Sequence, residues 1–227
     1  MSTMVANPVR AEQRSAEKRR EVKSSAHSFA KLAASLFPFL RTEEPITQGK
    51  TVILTSARAR EGVTTVSQKL GEYIARNTDA RVALLSLGDL DQLNQIADDD
   101  LQSQLAYDPE TRLFGASSAV QQKAKEPPAP GRMGGRQARR KAVLESLKGQ
   151  FDCILLDSPS LQESEDVLGA APLADGVLMV VASGSSTQHQ VVNTAKAISA
   201  SGGKLEGCCL NRRRYPIPAF LYRLFRR

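Results

Sequence analysis

The chain has 227 residues, 31 Lys and Arg against 24 Asp and Glu for a net charge of +7, three Cys, two His and no Trp. That is enough chain to bury one substantial core with tails. No apolar run reaches the ~20 residues that span a bilayer, and the N-terminus lacks the apolar stretch of a signal peptide, so the sequence reads as cytosolic with peripheral membrane contact at most.

Residues 1–24 are polar and of mixed charge and are expected to be a disordered basic N-terminal segment. Residues 25–40 place Phe29, Leu32, Leu36 and Phe37 three to four apart, which predicts an amphipathic helix stopped by Pro38. Thr51 to Leu54 reads as a buried strand, followed by a polar loop and a helix over 63–77 with Val66, Leu70, Tyr73 and Ile74 on one face. Residues 81–87 form a second continuous apolar strand, of the kind covered on both faces in a parallel sheet. Residues 88–115 give only helical pieces around 90–105. Residues 116–136, rich in Pro, Gly, Lys and Arg, read as a mobile insertion.

A helix over 137–149, a strand at 152–157, a short helix within 162–172, a strand at 176–182, a helix over 186–201 and a strand at 204–210 follow. Strands alternating with helices predict an α/β domain over 25–211, with a mostly parallel sheet, helices on both faces and ligands beyond the C-terminal strand ends. Cys153, Cys208 and Cys209 lie in strand-like runs and read as small core residues in a reducing compartment, while His27 and His189 lie at no metal-ligand spacing.

The stretch that points to chemistry is TVILTSARAREGVTTV, residues 51–66. Strand, tight loop and helix start are the layout of a phosphate-binding loop, because a helix N-terminus offers unpaired N–H groups and the positive end of its dipole. The nucleotide fingerprint is G-x-x-x-x-G-K-S/T, and this chain has Ala57-Arg58-Ala59-Arg60-Glu61-Gly62-Val63-Thr64. The second glycine and the threonine are in place, but the lysine is Val63. A charge-assisted hydrogen bond from that lysine is worth about 1.5–3 kcal/mol, roughly ten- to a hundredfold in affinity. Asp157 follows four apolar residues at a strand end, where such proteins place the acid that orients Mg²⁺. Alone, it would equally be an Asp capping the next turn.

Taken together, TSARAREGVTT, FDCILLDSPSLQESEDVLGAAPLADGVLMVV and GKLEGCCLN resemble, in order and spacing, the bacterial tyrosine kinase group, the cytoplasmic ATPase domains of capsular and exopolysaccharide export systems related to MinD and ParA. That family's pattern runs TSxxPxEGKST, LLIDADLR, FDxVIIDTPP, ADGVLLVV and GVVLN. The resemblance covers about residues 25–211 and implies a P-loop NTPase-like fold. It carries Glu61, Gly62, Val63, Thr64 and Thr65 onto the phosphate loop. Asp157 falls on the Walker B acid, Asp166 on a second acid and Asn211 on the base-contacting asparagine. Thr64 and Asp157 are then the residues that would hold Mg²⁺. Arg58 falls where MinD relatives carry an extra signature lysine, and with Arg60 it could lend charge to a phosphate, although two exposed loop arginines are the blander account.

The departures matter more than the matches. The lysine is lost, and the Asp-Ala-Asp strand end is here Ser86-Leu87-Gly88, with Asp89 one residue further on. Removing one preorganised electrostatic group typically costs 2.7–4 kcal/mol of barrier, so two losses of roughly that size leave little catalysis. The tail offers only Tyr215 and Tyr222 in place of a tyrosine cluster, and the ring-building Glu-x-x-Arg-x-x-Arg helix is not visible in 25–40.

The positive excess sits in 10–23, 132–141 and 212–227. The last segment joins arginines to Phe220, Leu221, Leu224 and Phe225, a basic amphipathic tail able to lie on an anionic membrane or to pack on the domain. The expectation is a catalytically degenerate domain with no catalytic residues and no certain cofactor beyond weak Mg-ATP or Mg-ADP. It would be cytoplasmic and peripheral to the inner membrane, as partner of a membrane polysaccharide co-polymerase in exopolysaccharide or capsule biosynthesis. A weak ATP-dependent tyrosine kinase or ATPase using Arg58 or Arg60 and Asp89 is the alternative, and a ParA-like nucleic-acid binder is the third reading.

Overall fold

The computed structural model describes residues 26–42, 47–93, 101, 104–123 and 133–212. The expectations for 1–24, for 124–132 of the insertion and for 213–227 of the tail, with its two tyrosines, lie outside the described residues.

A first helix, α1, covers 26–36, and Pro38–Arg41 form a single 3-10 turn after it. The strands are β1 (Lys50–Ser56), β2 (Val82–Ser86), β3 (Leu105–Asp108), β4 (Leu113–Ala116), β5 (Cys153–Asp157), β6 (Gly176–Ala182) and β7 (Leu205–Asn211). The longer helices are α2 (Val63–Asn77), α5 (Met133–Lys148) and α7 (Gln188–Ala200), with short α3 (Leu87–Gln92), α4 (Ser118–Lys123) and α6 (Asp166–Ala170) between strands. One sheet has the order β3-β4-β2-β5-β1-β6-β7 and is parallel apart from the β3–β4 hairpin.

Six of the seven residues of β1 are buried, which its unbroken apolar run requires of a strand lying between β5 and β6 with helices over both faces. Alternate side chains feed two cores. Val52 and Leu54 pack with Phe37, Val63, Val66, Leu70 and Ile74 under α1 and α2. Ile53, Leu85, Ile154 and Leu156 pack with Leu90, Leu144, Leu147, Val167 and Ile198 under α3, α5, α6 and α7. The parallel arrangement brings the ends of β1, β2, β5, β6 and β7 to one edge of the sheet, so Ser56, Ser86, Asp157, Ala182 and Asn211 share that edge.

One stretch left unassigned takes a definite form, and two expectations are corrected. The stretch around 105–116 is a hairpin, closed by Asp108 accepting from Glu110 N at 2.9 Å and Thr111 Oγ1 at 2.8 Å, with Arg112 at φ 61°. Residues 118–123 and 133–136, assigned to a mobile insertion, are helical. Cys208 is exposed rather than in the core, because β7 is an edge strand, while Cys153 is buried and burial pushes its thiol far up. Among the described residues no helix is long and apolar enough to cross a membrane.

Candidate functional site

At the strand-end edge, residues 57–62 turn from β1 into α2. Gly62 stands at the head of α2 at φ 91°, a left-handed conformation that glycine takes without steric cost. A Cβ on it would overlap the amide nitrogen of Asn211. That amide instead donates to the Glu61 carbonyl at 2.9 Å, so the end of β7 braces the loop from beside.

Glu61 is fully buried and turned inward. Its carboxylate accepts from Arg58 N at 3.1 Å, Ala182 N at 3.0 Å and Ser186 Oγ at 2.8 Å. Ser56 Oγ donates to the Arg58 carbonyl at 2.7 Å, and Arg58 Nη1 donates to the Ser185 carbonyl at 2.9 Å. These contacts set the shape of the loop from within and join it to the segment after β6. Glu61 is therefore a strut, and the Arg58 guanidinium is drawn away towards that segment.

A hollow of about 170 Å³ lies beside the loop, lined by Ser56, Arg60, Glu61, Gly62, Val63 and Thr64 on one wall and by Ser158, Pro159, Ser160 and Glu163 on the other. This is smaller than the ~300–1,000 Å³ of pockets that enclose drug-sized ligands. It has room for a phosphate group, and the rest of a nucleotide would lie on the open surface. Val63 is 8% exposed and packs into the core with Val66 and Leu70, so the position that grips phosphate with an ammonium in P-loop proteins is spent on hydrophobic burial.

Opposite it, exposed Thr64 donates from Oγ1 to Asp157 Oδ2 at 2.7 Å. Asp157 Oδ1 is buried with no hydrogen-bond partner among the described residues. Burial pushes the Asp157 carboxyl above its usual range, and the Thr64 hydrogen bond offsets part of that. A buried carboxylate oxygen without a donor, next to a hydroxyl at a helix start, is a donor set that suits Mg²⁺. The pair expected to hold the metal is thus brought together. Thr65 is exposed on the first turn of α2.

The other expected residues are placed elsewhere. Asp89 cannot stand in for the missing acid: its Oδ2 accepts from both Ser86 N and Ser86 Oγ at 2.8 Å, while Ser86 Oγ caps Asp89 N at 3.1 Å, a reciprocal capping box on α3. Asp166 does not line the hollow, because Arg136 Nη1 holds it at 3.0 Å. Arg136 also pairs with Asp91, which Arg140 Nε reaches at 2.7 Å. Two cations of the basic segment 132–141 are therefore neutralised between helices. The sequence reading missed Ser158, Ser160 and Glu163. Ser160 Oγ donates to Glu163 Oε2 at 2.7 Å, and the S-x-x-E spacing was the legible signal for that turn.

No family model and no curated protein matches the chain. Solved structures do. The VpsO kinase domain aligns over 87% of this chain and 98% of its own, with a TM-score of 0.61 and 21% identity. The kinase domain of the Escherichia coli tyrosine kinase ETK aligns over 75% and 71%, with a TM-score of 0.60 and 18% identity. The cell division protein MinD of Aquifex aeolicus aligns over 73% and 70%, with a TM-score of 0.52 and 19% identity. The chain therefore has the α/β fold of tyrosine kinase domains and of MinD- and ParA-type P-loop ATPases.

Proposed function

We propose that this domain is a catalytically degenerate relative of the tyrosine kinase domains whose fold it shares. On this reading it works in exopolysaccharide or capsule biosynthesis as the cytoplasmic partner of a membrane-embedded polysaccharide co-polymerase, peripheral to the inner membrane. The observation that carries the reading is Val63, an aliphatic side chain packed into the core at the position of the phosphate-gripping lysine. The mutual capping of Ser86 and Asp89 supports it, since it commits the nearest substitute acid to a helix start. The basic amphipathic segment 212–227 is the part of the sequence that suits an anionic leaflet. The test is turnover by the purified full-length chain with Mg-ATP: phosphate release and phosphotyrosine should stay at buffer level, and rates of an ordinary kinase, about 1–100 s⁻¹, would overturn the proposal.

The Thr64–Asp157 pair favours a second reading, a weak Mg-nucleotide binder or slow ATPase. Calorimetry with Mg-ATP and Mg-ADP then shows binding that Asp157→Ala abolishes. The nucleic-acid reading is weakened by Arg136 and Arg140 being paired with acids. A steeply salt-dependent shift of DNA would restore it.

A further inference from the structure

The loop at the head of α2 is bordered by three exposed arginines, Arg58, Arg60 and Arg212, none of which ion-pairs with an acid of the described residues. Arg58 and Arg60 belong to the loop. Arg212 follows β7 and carries a guanidinium nitrogen 3.9 Å from where a Cβ on Gly62 would stand. Its backbone is left-handed at φ 53°, with its N–H bonded to Asn211 Oδ1 at 2.8 Å, the same asparagine that braces the loop. Of the acids near this rim, Glu61 faces inward, Asp157 is bonded to Thr64, and Glu163 stands on the opposite wall of the hollow, accepting from Ser160. The positive end of the 15-residue α2 adds to the positive side of the loop.

We infer that this arginine rim docks an acidic polypeptide segment of the protein partner, in place of the nucleotide that such a loop would otherwise serve. The inference rests on the proposed role as a catalytically degenerate binding partner and gives that partner a chemistry. Two observations favour an acidic peptide over the other anions. The position that grips a compact triphosphate is aliphatic, and the hollow is only about 170 Å³. The cations stand on two separate stretches of chain around it, with Arg58 pulled to the Ser185 carbonyl, a spread that suits carboxylates spaced along a chain. The buried Glu61 carboxylate sets the loop from inside, so its shape is held by this chain's own contacts.

The test uses the full-length protein and, as probe, a fluorescein-labelled peptide of about twelve residues alternating Glu and Gly, followed by anisotropy as salt rises from about 50 to about 200 mM. Binding should weaken with salt and fall at least about tenfold in Arg60→Glu/Arg212→Glu, with the milder Arg60→Ala/Arg212→Ala losing in the same direction. Arg139→Glu/Lys141→Glu, two exposed cations of α5, should bind as wild type. The inference is overturned if the α5 pair loses as much as the rim pair. It is also overturned if Mg-ATP displaces the peptide, or if the rim substitutions weaken binding only to phosphatidylglycerol vesicles or DNA. Turnover of Mg-ATP by the wild type at ordinary kinase rates would sink the degenerate-partner reading separately, whatever the peptide does.

Discussion

Thr64 and Asp157, from the first turn of α2 and the end of β5, share a 2.7 Å hydrogen bond that leaves the second Asp157 oxygen buried and without a donor among the described residues. An ionised carboxylate in that position costs stability. Burial raises the Asp157 value in the folded state above its unfolded one, so the native chain binds the extra proton more readily, and stability falls as pH rises from the unfolded value through the folded one. Asp157→Asn keeps an acceptor for Thr64 without the charge. Its melting temperature should therefore exceed that of wild type at neutral pH, with the gap closing as pH falls below the unfolded value. A variant that melts below wild type at pH 7 in metal-free buffer would show that the charge is not a burden.

Val63→Lys separates an eroded pocket from a purely structural relic. Val63 both packs in the core and lines the hollow, so a lysine there can extend its ammonium into the phosphate space. Losing the valine's burial should cost about 1.5 kcal/mol. The new cation should strengthen Mg-ATP binding by roughly ten- to a hundredfold, the equivalent of 1.5–3 kcal/mol. Calorimetry and urea unfolding read the two effects independently. An affinity unchanged from wild type means that the remainder of the site no longer recognises phosphate.

What was legible in the sequence followed from local pattern. The continuous apolar runs of β1, β5 and β6 and the helical spacing of Val66, Leu70 and Ile74 name their elements without help from the rest of the chain. Gly62, Thr64 and Asp157 are marked by spacing. The β3–β4 hairpin was not legible, because each strand has only four residues, and Ala106, Tyr107 and Asp108 are exposed at the sheet edge and show no burial period. The role of Arg136 and Arg140 was hidden for another reason. In sequence they belong to a charge run, and only the packing of α5 against α3 and α6 brings Asp91 and Asp166 to them. Glu61 looked like a ligand residue by position, and only the return of β6 beside the loop shows that its carboxylate is satisfied internally.

Asp91 is the hub of that inter-helix network, and removing it leaves Arg140, whose side chain is 3% exposed, as an uncompensated buried charge. Asp91→Ala should cost about 3–5 kcal/mol, whereas replacing Asp91 and Arg140 together by Leu and Met should cost much less. Burial alone would raise the Asp91 value. The hydrogen bonds from Arg136 and Arg140 outweigh it and hold the carboxyl below the usual range. Its stabilisation is therefore complete above the unfolded value and is lost as pH falls through the folded one, so urea midpoints of wild type and Asp91→Ala should converge in acid. Parallel curves down to the lowest pH would remove Asp91 from that role.

Gly62 and Gly184 make a matched pair for measuring how tightly the loop is braced. Both are left-handed, at φ 91° and φ 77°. A Cβ on Gly184 meets nothing within 4 Å, whereas one on Gly62 overlaps the Asn211 amide. Gly184→Ala should cost only the backbone term, about 1–2 kcal/mol. Gly62→Ala should cost that plus the displaced Asn211–Glu61 hydrogen bond, roughly 1 kcal/mol more. Putting Asn211→Ala into the Gly62→Ala background makes room for the new methyl, so the double variant should be more stable than the sum of the two single losses predicts. Chemical denaturation of the four proteins gives the coupling directly. A coupling near zero would mean that Asn211 does not hold the loop, and the bracing of the site from β7 would have to be given up.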